Sequence, residues 1–450
     1  MSTPVKNASS ISRRLSIACL RIAGRLLRVR QPSRTGSPRR TYHQQRYETA
    51  GADTSTQQML GENLSAIVDS TCVRHCGHCM RGSRLEAVLV VGTRPQIIKS
   101  APIVKAAAGK LDLSIINTGQ HYDYEMSKIF FSEFDLPNPI ADLGVGSGSP
   151  SEQIAAVIIR LERLLASRRP RLVVVPGDTN SALGSAIAGV KLNIPVAHVE
   201  AGARSYDFDL PEEVNRRLID HCSAVAFAPS ANCGSNLVKE GIEKKRIRVV
   251  GDTMFDGLLA NLTSARTGGA LRRLGLEPQT YAFVTLHRNH NVDDEDNLRS
   301  IVKALIRAQE LRILFPVHPR TKARLRQFSL LERLARAEHI TLTQPFGYIE
   351  TIQIVENARL VLTDSGGLQK EAFWLGTPCI TLRDSTEWVE TIRAGGNMLV
   401  GHDTKKIERA IRRFNLDSQK VRTRLRNMRN PFGNGKASQK IVKILGESQR

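Results

Sequence analysis

The chain has 450 residues, 41% hydrophobic and 24% charged, values of a globular protein with room for two ordinary domains and an extension. No apolar run approaches the roughly twenty residues of a membrane span, and seven cysteines, scattered but for one cluster, argue against a secreted disulfide framework and for a cytoplasmic, reducing setting. The net charge of +22 is concentrated early, with fourteen Lys and Arg against four Asp and Glu in residues 1–85, and no basic stripe with interleaved aromatics follows, so neither nucleic acid nor membrane is the expected partner.

Residues 1–84 read as a basic, disordered extension. No acidic residue precedes Glu48 while Arg and Ser are frequent, a composition shared by transit peptides and polyanion-binding tails. Met80 opens MRGSRLEAVLVVGTRP just before the first convincing strand, so the segment also reads as untranslated upstream sequence. Within it Cys72, Cys76 and Cys79, with His75 and His78 between them, match the spacing of iron–sulfur or zinc ligands. The cluster has no folded unit of its own and stops where a domain begins, so no functional metal is expected there.

From residue 85 onward, short β-branched runs alternate with amphipathic stretches. Strands are predicted at 86–91, 111–117, 171–176, 194–200, 223–228 and 246–250, then at 281–287, 311–317, 339–344, 358–363, 378–382 and 397–401. Helical patterns such as 101–110, 151–167 and 297–311 fill the gaps. This alternation predicts an α/β protein of two doubly wound, Rossmann-like domains, 85–256 and 257–432, with a connector around Gly268-Gly269. A last helix within 433–450 is expected to pack back on the first domain. The tract Gly144-Val-Gly-Ser-Gly-Ser follows none of these strands directly and is read as a loop.

Each half carries an anion-binding turn. In the first, a strand runs into Gly92-Thr93-Arg94-Pro95 at a helix start, where free N–H groups, Arg94 and Lys99 suit a phosphate. In the second, Asp364-Ser365-Gly366-Gly367 opens a helix, and Glu371, two turns along, suits ribose hydroxyls. Between them come Asp178, Glu200 and the Glu212–Glu213 pair, each just past a strand or at a helix start. In a parallel sheet those positions share one rim, and acids gathered there suit proton transfer. Asp178 also suits a helix cap, and Glu212 a first-turn acid favoured by the helix dipole. Arg216, four residues past Glu212, is expected to hold that carboxylate.

With GTRP, TGQHYDYEMS, GDT, HVEAG, PEEVNR, TLHR, FPVHPRTK and LTDSGG in this order, residues 85–446 resemble the non-hydrolysing UDP-N-acetylglucosamine 2-epimerases. The resemblance implies a glycosyltransferase-B-like fold with its site in the interdomain cleft. It implies interconversion of UDP-GlcNAc and UDP-ManNAc by elimination and re-addition of UDP through a 2-acetamidoglucal, with no metal and no cofactor. Asp178, Glu200, Glu212 and His287 would then be catalytic, and Arg94, Lys99, Arg216, Ser365, Gly366, Gly367 and Glu371 would bind the UDP-sugar. A homodimer is implied as well. The order of bond breaking makes physical sense: the C2 hydrogen has no adjacent carbonyl, and becomes acidic only as the C1–O bond opens.

The chain departs from the family pattern at Gln96, where Glu usually follows GTRP, and at His290, where an acid usually precedes NVD. Trp388-Val389 stands for Arg-Pro in TERPE, and Lys370 replaces an acid. These changes leave open a UDP-diacetamido-uronic acid 2-epimerase and a UDP-sugar-binding protein with weakened catalysis; a hydrolysing UDP-GlcNAc 2-epimerase is a further alternative, against which Pro95 after GTR and the intact PEEVNR speak.

Overall fold

The computed structural model describes residues 86–120 and 131–447. The N-terminal extension and its cysteine cluster lie outside the described residues.

The first lobe is built on a parallel sheet of β1 (Glu86–Val91), β2 (Asp112–Asn117), β3 (Ala141–Asp142), β4 (Leu172–Pro176), β5 (Val196–Val199), β6 (Val225–Ala228) and β7 (Ile247–Val249). Their spatial order is β3-β2-β1-β4-β5-β6-β7. The second lobe repeats the plan with β8 (Tyr281–Thr285), β9 (Arg312–Pro316), β10 (Ile340–Thr343), β11 (Leu360–Thr363), β12 (Cys379–Thr381) and β13 (Asn397–Leu399). Their order is β10-β9-β8-β11-β12-β13, again with parallel pairing throughout. The central strands VLVV and LVVVP are buried along almost their whole length, as a sheet covered by helices on both faces requires. Every predicted strand is present. The one addition, β3, is two residues long and carries no apolar run, and the glycine tract begins two residues after it.

Both sheets reverse direction at their centres, between β1 and β4 in one lobe and β8 and β11 in the other. Ligands of such sheets bind beyond the carboxyl ends of the strands at these switch points. The two βα turns singled out above follow β1 and β11, so each occupies a switch point.

The lobes are joined by the helix Thr253–Thr267, which runs unbroken through residues 256 and 257, and by the short helix Ala270–Leu274. The last helix, Ala437–Glu447, packs its buried Ile441, Val442 and Leu445 near the first helix, Arg94–Ala107. Its free N-terminal N–H groups are capped by Asp256, which accepts from Ala437 N at 3.2 Å and Ser438 N at 2.7 Å. No helix among the described residues is long and apolar enough to cross a membrane.

Candidate active site

The turn after β1 is shaped by Gly92: a Cβ there would stand 2.0 Å from Thr118 Oγ1. Gln96 explains its own departure from the family pattern. Its Oε1 accepts from Gly92 N at 2.9 Å while its Nε2 donates to the Pro176 carbonyl at 2.9 Å. An ionised Glu could do only the first. The turn is therefore tied to the end of β4, where Gly177 (φ +71°) swings the chain so that Asp178 leaves the strand end. The helix after Asp178 is capped by Thr179, whose side chain accepts from Ala182 N, so Asp178 is not its cap.

Each candidate carboxylate of the first lobe is tied by ion pairs to the second lobe. Asp178 Oδ2 receives Arg216 Nη2 at 2.5 Å, and the same nitrogen reaches Glu387 Oε1, beyond β12, at 3.2 Å. Glu200 Oε1 receives Lys370 Nζ at 2.6 Å, from the helix Gly366–Leu375, and its Oε2 pairs with Lys99. Glu212 Oε1 receives Arg288 Nη1, just past β8, at 2.7 Å. Asp178 and Glu212 keep side chains 26% and 32% exposed, whereas Glu200 is 9% exposed with both oxygens committed.

Two expectations about partners are corrected. Arg216 holds Asp178, Glu213 and Glu387 rather than Glu212, because its side chain lies on the buried face of the helix Pro211–Cys222 while Glu212 turns to the seam. Lys99 goes to Glu200 rather than to the turn that precedes it. The adjacent acids divide likewise: Glu213 is buried and accepts from Ser205 N at 2.9 Å and Arg217 at 3.0 Å. Burial by itself would lower the Arg216 pKa, but Asp178, Glu387 and Glu213 together raise it.

Around Glu200 the charges form a closed set. Lys370 is 0% exposed, and its Nζ also meets Asp252 Oδ2 at 2.5 Å and lies 3.8 Å from the Trp388 ring centroid. Two departures from the family pattern thus touch: the indole face receives the ammonium, a cation–π contact. Burial would push the Glu200 carboxyl up, yet Lys370 and Lys99 hold it down to about 2. Burial raises the Asp252 carboxyl, with Lys370 opposing it. Glu200 itself has φ +76°, a conformation costing a non-glycine residue about 1–3 kcal/mol. Such strain is retained where surrounding contacts fix the residue, as two lysines do here.

In the second lobe His287 is partly exposed, with Nδ1 3.1 Å from Asp364 Oδ1. Asp364 does not face outward as part of the cradle. It is buried and accepts from the backbone N–H groups of His287 at 3.0 Å and Arg288 at 2.8 Å. Burial would raise its carboxyl, but His287 and those N–H donors hold it down to about 2. It therefore orients the histidine loop.

Ser365 caps the next helix by accepting from Leu368 N at 3.4 Å. This leaves the first-turn N–H groups of Gly366 and Gly367 to a ligand. Gly366 lies against Trp388, where a Cβ would stand 3.3 Å from Nε1. Glu371 is buried beside Tyr348 and Arg94, and burial pushes its carboxyl up. Arg94 completes the turn, its guanidinium 3.5 Å from the Phe346 carbonyl of the second lobe.

Sequence reasoning missed Arg288, Asp252 and Arg383, the last holding Glu387 at 3.1 Å. It saw Lys370 and Trp388 only as departures. The available signal was a lysine in a helix whose neighbours Leu368, Gln369, Glu371, Ala372 and Phe373 are all buried. A lysine placed there needs an anion.

Two Rossmann-like lobes with charged side chains paired across their seam define a two-domain α/β protein of the glycosyltransferase-B-like architecture. The chain belongs to the UDP-N-acetylglucosamine 2-epimerase family, whose model matches residues 105–446. It is 44% identical over 364 residues to the UDP-N-acetylglucosamine 2-epimerase of Methanocaldococcus jannaschii, covering 79% of this chain and 98% of that one. A crystal structure of the M. jannaschii enzyme in complex with UDP-GlcNAc and UDP superposes with a TM-score of 0.75 at 44% identity, covering 81% of this chain and all of that one. The chain is also 37% identical over 370 residues to the UDP-2,3-diacetamido-2,3-dideoxy-D-glucuronate 2-epimerase of Pseudomonas aeruginosa, covering 81% and 100%.

Proposed function

We propose that the protein interconverts UDP-GlcNAc and UDP-ManNAc by inversion at C2 of the sugar. The observation that carries this reading is the pairing of Asp178, Glu200 and Glu212 with partners that reach into the other lobe. Family membership and the UDP-GlcNAc complex of a relative support the substrate class.

In this reading the two helix starts, at Arg94 and at Gly366-Gly367, grip the diphosphate, with Arg94 and the free N–H groups taking up the charge of departing UDP. The C1–O bond breaks and its electron pair leaves with UDP. The C2 proton passes to a carboxylate, giving 2-acetamidoglucal. Re-addition of UDP at C1, with a proton delivered to the opposite face of C2, completes the inversion.

Asp178 and Glu212 suit the two proton transfers, since each keeps a carboxylate oxygen open to the seam while an arginine fixes its direction. Positioned groups of this kind contribute about 10²–10⁴-fold. Glu200 serves as a fixed anion, holding Lys99 and Lys370 where they shape the pocket wall. His287, oriented by Asp364, stands at the diphosphate and sugar. The reading carries with it a homodimer and a cytoplasmic setting; light scattering on the eluting protein checks the first.

NMR of the products formed from UDP-GlcNAc tests the activity. An equilibrium mixture with UDP-ManNAc is expected. Free ManNAc as the sole sugar product would assign hydrolysis, and tight UDP binding without turnover would assign a binding protein. Faster turnover of a UDP-diacetamido-uronic acid would move the specificity toward that of the P. aeruginosa relative.

A further inference from the structure

The rim of the second lobe carries a side-chain cluster for which the epimerase reading has no use. His290, Asp384 and His402 place one donor atom each within 4.8 Å of the others. They come from the short helix Asn289–Val292 that follows β8 and from the loops after β12 and β13, which are adjacent strands. The two imidazole rings meet edge to face with centroids 5.8 Å apart.

Three features single the cluster out. Nδ1 of His402 is buried and has no hydrogen-bond partner among the described residues, a situation that native interiors avoid. Gly401 (φ +61°) takes a backbone conformation that favours glycine and lets Asp384 approach closely, since a Cβ there would stand 2.5 Å from Asp384 Oδ1. His290 replaces the acid expected before NVD, so this imidazole is a particular of this chain rather than of the family pattern.

We propose that His290, Asp384 and His402 form a binding site for a divalent transition-metal ion of the zinc class. Two imidazoles and one carboxylate suit zinc, cobalt or nickel better than magnesium or calcium, which prefer all-oxygen sets. Three protein ligands leave a fourth position for water. Bonds of about 2.0–2.2 Å would bring the donors closer together than they now stand. Rotation of His290 and Asp384, both exposed, supplies that approach.

Such an ion would clip together three segments that also carry Arg288, Asn291 and Arg383. Asn291, next to His290, donates to Asp364 at 3.3 Å and to the Leu382 carbonyl at 2.8 Å. The clip would therefore stiffen the loop that presents His287, without entering the reaction.

The test uses the full chain with Cys72, Cys76 and Cys79 replaced by Ser, so that the N-terminal cluster does not compete for metal. Co²⁺ is titrated by its visible absorption, followed by displacement with Zn²⁺. One equivalent is expected, weakened at least about tenfold by His290→Ala and by His402→Ala. Zn²⁺ should raise the Tm of the parent and leave that of the variants unchanged. Because His290 is exposed, its variant keeps the fold and makes the comparison decisive. Equal affinity in parent and His290→Ala, or no equivalent bound below about 100 μM, overturns the site.

Discussion

Glu200 and the pair Asp178 and Glu212 stand on the same rim in opposite surroundings. Glu200 is walled in, with two lysines on its two oxygens and Asp252 balancing the second lysine. Asp178 and Glu212 are each held by one arginine and remain open to the seam. A carboxylate with both oxygens committed and its pKa held at about 2 is a poor proton acceptor but a good structural anion. A half-open carboxylate with one arginine keeps its direction and a free lone pair. Three acids that look equivalent in sequence thus divide into one closed in by two lysines and two left open to the seam, the pair to which the proposed mechanism gives the proton transfers.

The sharpest way to break this division is to remove a partner inside the closed set. Lys370→Met leaves Glu200 and Asp252 buried with one cation between them and should cost about 3–5 kcal/mol of unfolding free energy. Glu200→Gln should cost a similar amount by leaving Lys99 without its anion and Lys370 with Asp252 alone. Urea melts of both proteins read the stability; a loss under about 1 kcal/mol would mean the set is solvated and the contrast unreal.

Asp178→Asn should behave differently. Turnover is expected to fall at least about 10²-fold while stability and UDP affinity are largely kept. Loss of UDP binding with unchanged turnover would move Asp178 out of the proton-transfer pair. Arg94→Ala should weaken UDP binding roughly tenfold, the size of a charge-assisted contact, with little change in stability. Calorimetric titration with UDP reads it, and an unchanged dissociation constant would remove Arg94 from the cradle.

The smallest effect concerns acid. The carboxyl of Glu200 is lowered from 4.5 to about 2, and that of Asp364 from 3.8 to about 2. Both are depressed in the folded state, so their stabilisation is fully present above the ordinary values and is lost as pH falls toward 2. The contribution of these two carboxylates should therefore hold from neutrality to about pH 4.5 and decline below it, and the decline should shrink in Lys370→Met. A decline that begins near pH 6 would implicate other groups.

The lobes were legible because a parallel sheet buried on both faces needs continuous β-branched runs, and these stand out at 86–91, 171–176 and 358–363. β3 was not, because a two-residue edge strand leaves no pattern. The positions of Asp178, Glu200 and Glu212 followed from their place after strands and at a helix start. Their partners did not. Lys370 lies 170 residues from Glu200 and Glu387 lies 171 from Arg216, and such pairings leave no local periodicity. The i, i+4 rule suggested Glu212 for Arg216, but tertiary contacts with Asp178 and Glu387 prevailed.

The most direct measurement follows hydrogen at C2. Incubation with UDP-GlcNAc in D₂O should place deuterium at C2 of both UDP-GlcNAc and UDP-ManNAc, and Asp178→Asn should slow that exchange far more than it weakens UDP binding. Exchange that proceeds undiminished in Asp178→Asn, or epimerisation with no solvent deuterium at C2, would contradict proton transfer by the open carboxylates.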